Sequence, residues 1–274
     1  MERIKQALEK ARRERGDAPA VGDLGVPQPR RPGAPAEPAS ITYTETRVFQ
    51  PSADLLRRNR VLLGGEKLPG VAAYKMLRTQ VLQRMKEKGW NALAVTNPGP
   101  SEGKTLTAVN LAVSLAREVN HTVLLVDLDL RNPSVHQYFG YVPESGVSDV
   151  ALHGVPITDA LFNPGIERLV VLPGREAFSH SSEVLSSPGM VALVSELKHR
   201  YLSRMVIFDL PPVLSADDAV AFAPYVDAAL LVIREGKTTR EDVTRAIEFL
   251  RDLPVLGTVL NRSVEATTSS YYYY

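Results

Sequence analysis

Three groups of residues in this chain have types and spacings suited to phosphate chemistry. The first is the run Asn91-Ala-Leu-Ala-Val-Thr-Asn-Pro-Gly-Pro-Ser-Glu-Gly-Lys104-Thr105. An apolar stretch, Ala92 to Val95, leads into a Gly/Pro/Ser loop. The loop leads into a segment with apolar residues at Leu106, Val109, Leu111 and Ala112. Strand, glycine loop, Gly-Lys-Thr, helix is the order of a phosphate-binding loop. Gly103 lets the backbone approach an anion with no Cβ in the way. N–H groups of the loop and of the helix N-terminus then point at that anion. Lys104 is expected to reach the β- and γ-phosphates, and the Thr105 hydroxyl to ligate Mg²⁺. The expected nucleotide contacts are Gly99, Pro100, Ser101, Glu102, Gly103, Lys104, Thr105 and Leu106. In the pattern G-x-x-x-x-G-K-[ST] the first glycine falls on Pro98, and Gly99 follows one place later.

The second group is acidic. Thr122-Val-Leu-Leu-Val-Asp127-Leu-Asp129 ends an apolar run with two carboxylates two residues apart. Met205-Val-Ile-Phe-Asp209 ends another in one, followed by Leu-Pro-Pro212. Continuous apolar runs of this length read as strands of a parallel sheet covered on both faces. Ligands of such sheets sit at the carboxyl ends of the strands, so all three aspartates should meet the phosphate loop. Carboxylates beside phosphates call for a cation between them, or for one of them to act as base toward an attacking hydroxyl. Asp127, Asp129, Asp209 and Thr105 are thus the candidate metal ligands, with Asp127 also a candidate base. Asp217 and Asp218 read as a helix start. The third group is Tyr271, Tyr272, Tyr273 and Tyr274 at the end of the chain. Four successive aromatic side chains point apart and cannot all be buried, and exposed aromatics bring an aggregation risk with no structural gain. They read as phosphoacceptors.

The elements that must position these groups alternate along the chain. After the strand at Thr122, further strands are expected at Leu169–Leu172, Met205–Asp209, Ala228–Ile233 and Val255–Leu260. Helices are expected from Val71 (stripe Tyr74, Leu77, Val81, Leu82, Met85) to Gly89, over Pro188–Tyr201, and from a capping box at Thr238-Thr239-Arg240-Glu241 through Val243, Ile247 and Leu250. The fold class is α/β: a doubly wound, mostly parallel sheet of the P-loop NTPase type. By position at the end of the last strand, Asn261 is placed to meet the adenine. Residues 1–16 read as an amphipathic segment with Ile4, Leu8 and Ala11 on a narrow stripe, and 17–50 as a Pro/Ala-rich disordered linker. Within that linker range, Ile41–Phe49 alternates weakly, as a short strand or an arm. The expected catalytic domain covers 51–262, opening with a solvated helix over Ala53–Leu63, and the flexible tail covers 263–274.

Composition narrows the choices. The 274 residues carry a net charge of +1, so bulk charge offers nothing to nucleic acid. No cysteine is present, which removes disulfides, thiolate metal sites and cysteine nucleophiles. The N-terminal residues lack the apolar core of a signal peptide, and no apolar run approaches the ~20 residues that span a bilayer. A soluble cytoplasmic protein is expected.

Taken together, the phosphate loop, Asp127-Leu-Asp129-Leu-Arg-Asn-Pro133, Phe208-Asp209-Leu-Pro-Pro212 and the tyrosine tail resemble the bacterial tyrosine kinases of exopolysaccharide and capsule assembly. Ser182-Glu-Val-Leu-Ser-Ser-Pro188 fits the same pattern. The opening Ile4–Arg15 segment and Leu55-Leu-Arg-Arg-Asn-Arg60 look like the subgroup of stand-alone autokinases. The resemblance implies ATP and Mg²⁺ as cofactors and a non-specific protein-tyrosine kinase activity. It implies autophosphorylation of Tyr271–Tyr274 between neighbouring subunits in a homo-oligomer. It also implies a separate, membrane-bound activator of the polysaccharide co-polymerase type, which would recruit the kinase to the inner face of the membrane. Two motifs depart from the family. Its Pro-Gly-Glu-Gly-Lys reads Pro100-Ser-Glu-Gly-Lys104 here, and its ring-forming Glu-x-x-Arg-x-x-Arg reads Ala72-x-x-Lys75-x-x-Arg78, without the acid. A MinD/ParA-like ATPase switch shares the fold, but it carries a lysine five residues before Lys104, where this chain has Gly99. A nucleotide-gated adaptor without catalysis is the third reading.

Overall fold

The protein is described from a computed structural model, over residues 46–64, 69–200 and 203–263. The tyrosines 271–274, the segment 1–16 and the linker up to residue 45 lie outside the described residues.

The elements run in chain order as β1 (Arg47–Val48), α1 (Ala53–Arg58), α2 (Pro69–Lys88), β2 (Ala92–Thr96), α3 (Lys104–Ala116), β3 (Thr122–Asp127), α4 (Val135–Phe139), α5 (Val147–His153), α6 (Ile157–Ala160), β4 (Phe162–Asn163), β5 (Leu169–Leu172), α7 (Ser181–Leu185), α8 (Pro188–His199), β6 (Arg204–Asp209), α9 (Asp218–Phe222), β7 (Ala228–Arg234), α10 (Arg240–Phe249) and β8 (Val255–Asn261). A 3₁₀ turn over Ala223–Tyr225 follows α9. The strands form one sheet in the order β1-β4-β5-β3-β6-β2-β7-β8. Every pairing is parallel except β4 with β5.

The central strands are apolar on both faces because both faces are covered. On one side Leu124, Val126, Val206 and Phe208 pack with Met190, Leu193 and Leu250. On the other, Leu93, Val95, Val123 and Ile207 pack with Val81, Met85, Val109 and Leu111. The α3 helix is buried almost throughout, so its position is fixed from all sides. The stripe expected on α2 faces this core: Val81 and Met85 are buried, and Leu77 and Leu82 are partly so. Gly89 ends α2 at φ +68°, a conformation glycine adopts without strain.

Several elements differ from the sequence expectation. The helix expected over Ala53–Leu63 stops at Arg58; Leu56 within it and Val61 after it are buried, and Arg57, Arg58 and Arg60 face solvent. The described end of Ile41–Phe49 is a two-residue strand on the sheet, Arg47–Val48. The short strand β4 and the helices α4 to α6 lie in a stretch too brief per element to show a period. The capping box of α10 sits one residue later than expected: the Thr239 hydroxyl accepts from Asp242 N at 3.0 Å, and Asp242 accepts from Thr239 N at 3.0 Å. Ile247 is 44% exposed, while Ala246 is buried, because the helix turns that edge to solvent. Arg78, on the helix where the resembled family carries its ring motif, is bound within its own chain, to Ser114 O at 3.3 Å and to Glu118 at 2.9 Å.

Candidate active site

Strands β3 and β6 run side by side, with Asp127 opposite Asp209 in register. Strand β2 lies beside β6 and delivers the loop 97–103 to the same sheet edge. The topology therefore brings the three acidic strand ends and the lysine-bearing loop together. Lys104 Nζ lies 2.8 Å from Asp129 Oδ2 and 3.2 Å from Asp209 Oδ2, with only 9% of its side chain exposed. It also donates to Thr105 Oγ1 at 3.0 Å, and that hydroxyl donates to Asp209 Oδ2 at 2.7 Å. Above this cluster opens a cavity of about 490 Å³, within the usual range for small-molecule sites. Its walls include Pro100 to Thr105, Asp129, Arg131, Tyr138, Ser215 and Arg262.

Asp127 and Asp209 are fully buried, whereas Asp129 lines the cavity. The Asp127 carboxylate accepts backbone N–H groups of Ser134 at 2.8 Å and Val135 at 2.9 Å, and of Asp129 at 3.2 Å. It thereby holds the start of α4 and the turn that presents Asp129. Burial, then the charge of Asp209, push Asp127 up to about 7, against the opposing N–H bonds and Lys104. Burial also raises Asp209, with Lys104 and the Thr105 hydroxyl pulling the other way. For Lys104, burial alone favours the neutral amine; the carboxylates of Asp209 and Asp129 outweigh it, and the net direction is upward. Burial followed by the Asp209 charge raises the Tyr138 phenol as well.

The loop itself is held from behind. Glu102 is 2% exposed and points inward. Its Oε2 accepts Gly99 N and Asn97 Nδ2, both at 3.1 Å, and its Oε1 accepts the Thr238 hydroxyl at 2.5 Å. Lys237 donates to Pro100 O, and Asn261 Nδ2 donates to Glu102 O at 2.8 Å. Asn261 thus reaches the loop by its amide. A Cβ on Gly103 would come within 2.1 Å of that amide, and Gly103 also has φ +96°. Ser101 takes a left-handed backbone, φ +63°, at the place where the resembled family has glycine. Leu106 lies in the first turn of α3 and is not part of the cavity wall.

The residues present fit a nucleotide with Mg²⁺. The loop offers an ammonium and backbone donors, and a glycine where a side chain would block it. Asn97 Oδ1 is buried without a partner beside the loop. Among the described residues no cluster of three or more acidic or histidine side chains could hold a metal by itself. Mg²⁺ is ordinarily held by one or two carboxylates together with substrate phosphates, a set that Thr105, Asp129 and Asp209 match. Sequence reading gave no site role to Arg131, Tyr138, Arg262 or Thr238. Arg131 and Arg262 adjoin residues already singled out, and Thr238 reads in sequence as a helix cap; Tyr138 carries no local signal, because only packing brings it to the site.

Comparison with known proteins agrees with this geometry. Residues 93–272 match the family model described as the CobQ/CobB/MinD/ParA nucleotide binding domain. The chain is 33% identical over 221 residues to tyrosine-protein kinase YwqD of Bacillus subtilis (strain 168), covering 80% of this chain and 92% of that protein. Among solved structures, the kinase domain of the Escherichia coli tyrosine kinase ETK superposes with a TM-score of 0.66 at 29% identity, over 74% of this chain and 80% of that one. The chimerical protein CapA2B2 gives 0.69 at 26% identity, over 79% and 93%. By this likeness, on a fold whose sheet edge gathers the phosphate loop and the aspartates, the chain belongs to the bacterial tyrosine-protein kinases, within the CobQ/CobB/MinD/ParA nucleotide-binding family.

Proposed function

We propose that this tyrosine kinase uses ATP with Mg²⁺ to phosphorylate its own C-terminal cluster, Tyr271 to Tyr274, and in this way regulates synthesis and export of an exopolysaccharide or capsule polymer. The observation that carries the reading is Lys104 in contact with both Asp129 and Asp209 at the floor of the cavity. Lys104 and the N–H groups of the loop bind and orient the β- and γ-phosphates. Thr105, Asp129 and Asp209 would hold Mg²⁺, with Asp127 as a further candidate ligand, and the ion would neutralise charge on the phosphates in transfer. Asp127, fully buried behind Asp129 with its oxygens on backbone N–H groups, would accept the tyrosine proton once substrate binding uncovers it. Glu102 and Thr238 keep the loop in shape.

Residues 264–274 follow directly from the cavity wall at Arg262. At about 3.3 Å per extended residue, the tail reaches only nearby sites, on the same chain or on an adjacent copy. Docking of tails in trans would hold a homo-oligomer together. Phosphate adds about −1.5 to −2 of charge per tyrosine, so a modified tail repels its neighbours and releases. Among the described residues no helix is long and apolar enough to cross a membrane. Recruitment to the inner face of a membrane would fall to a separate, co-polymerase-type activator.

Incubation of the full chain with ATP and Mg²⁺ is expected to add phosphate to Tyr271–Tyr274, read by intact mass and peptide mapping. Lys104→Met is expected to abolish it. Since that change leaves two carboxylates without their cation, its melt is recorded first, and Thr105→Ala is run beside it. Equal labelling of Lys104→Met and wild type would overturn the reading. Phosphate release without tyrosine labelling would favour a MinD/ParA-like switch.

A further inference from the structure

Asp218 reads in sequence as a helix-start residue, a role normally played by a half-exposed side chain. In the structure it is fully buried at the start of α9 and caps nothing. Its Oδ2 accepts from Arg131 Nε at 2.8 Å, and its Oδ1 has no partner among the described residues. A buried carboxylate with a single bond is retained only at a cost unless it is paired. Here the pairing is with a guanidinium that lines the nucleotide cavity beside Lys104, Asp129 and Ser215. Arg131 follows Asp127 by four residues, and Asp218 follows Asp209 by nine, with Asp127 and Asp209 neighbours across β3 and β6. The pair therefore joins the two loops that leave the central strands.

Which edge of the guanidinium is used matters. Nε is committed to Asp218, and Nη2 lies 3.7 Å from Asp217. Nη1 makes no hydrogen bond among the described residues, and the side chain is 41% exposed. Arginine is a long, rotamer-rich side chain, and a fixed Nε removes much of that freedom in advance. The remaining planar N–H groups match phosphate oxygens. Lys104 already serves the floor of the cavity; Arg131 supplies a second fixed cation in its wall.

We propose that Asp218 is a positioning residue that pins Arg131 by its Nε, so that the free guanidinium N–H groups contact the phosphoryl group during transfer. The proposal rests on the phosphotransfer reading of the cavity. It is tested on the full chain with Asp218→Asn, Arg131→Gln and the double variant. Tail labelling and phosphate release from ATP are followed together, and MgADP affinity is measured by calorimetry. Each single change is expected to slow transfer about ten- to hundredfold, the range for a lost hydrogen bond to a charged group, with MgADP affinity within threefold of wild type. The double variant is expected to be no slower than Arg131→Gln alone, because Asp218 acts through Arg131. Multiplication of the two single effects, or a loss of MgADP affinity in step with the rate, would show a merely structural role and overturn the proposal. So would a wild-type rate in Asp218→Asn. Where Arg131→Gln fails to fold in a thermal melt, Arg131→Lys, which keeps the charge without the fork, takes its place, with the same expected split between rate and affinity. If wild type releases phosphate without labelling tyrosine, the acceptor assignment fails, and the comparison still runs on phosphate release.

Discussion

Replacing Thr238 by valine tests whether the phosphate loop owes its shape to the turn between β7 and α10. The two side chains have the same outline, so packing is kept while the hydroxyl is lost. Two bonds go with it: the donation to Glu102 Oε1 at 2.5 Å, and the acceptance from Arg234 N at 2.8 Å. Glu102 is 2% exposed, so water cannot readily replace the donor. A hydrogen bond to a carboxylate is worth about 1.5–3 kcal/mol, and a backbone N–H left without its partner adds roughly 1 kcal/mol. A loss near 3 kcal/mol follows. At roughly 2–4 °C per kcal/mol for a chain of this size, the melting temperature should fall by about 6–12 °C. Glu102 also anchors Gly99 N, so the loop becomes looser where the phosphates bind. If a third of the loss must be restored on binding, about 1 kcal/mol, MgADP affinity drops about fivefold. Thermal melts with and without MgADP, and calorimetry, measure both. Thr258→Val, at an exposed position on β8, is the control and should stay within about 0.5 kcal/mol of wild type. A Thr238→Val protein that melts within 1 °C of wild type and binds MgADP equally well would refute the reasoning.

Two further outcomes are expected. Asp127 is raised from its ordinary range to about 7, so protonation favours the folded, nucleotide-free chain. That contribution is complete below pH 3.8 and is lost as pH rises through about 7. Melting temperature without nucleotide should therefore decline between about pH 4 and pH 7 and level off above, and Asp127→Asn should flatten the decline; an unchanged slope in that variant would count against the assignment. Ser101 holds φ +63°, a region that costs an L-residue about 1–2 kcal/mol, part of which glycine forfeits again in the unfolded chain. Ser101→Gly should raise stability by about 0.5–1 kcal/mol in denaturant titration; a destabilised variant would mean that the hydroxyl makes a contact of its own.

Much of the fold was legible because its signals are local. Ala92–Val95, Thr122–Asp127 and Met205–Asp209 are apolar on every residue, which only a sheet covered on both faces requires. Gly103-Lys104-Thr105 and the aspartates at the ends of two strands are likewise contiguous, and any doubly wound order delivers them to one edge. The sequence by itself thus determined the class of fold, the phosphate loop and the acidic strand ends. What it could not determine were contacts between residues far apart in the chain. Thr238 meets Glu102 across 136 positions and Arg131 meets Asp218 across 87, and no periodicity records either meeting. Burial decided the rest: Asp127, Asp129 and Asp209 look alike in sequence, yet the first and last are sealed beneath the sheet edge while Asp129 faces the cavity. Accessibility and the electrostatics that follow from it are properties of the packed chain, because desolvation depends on every neighbour that tertiary structure brings near.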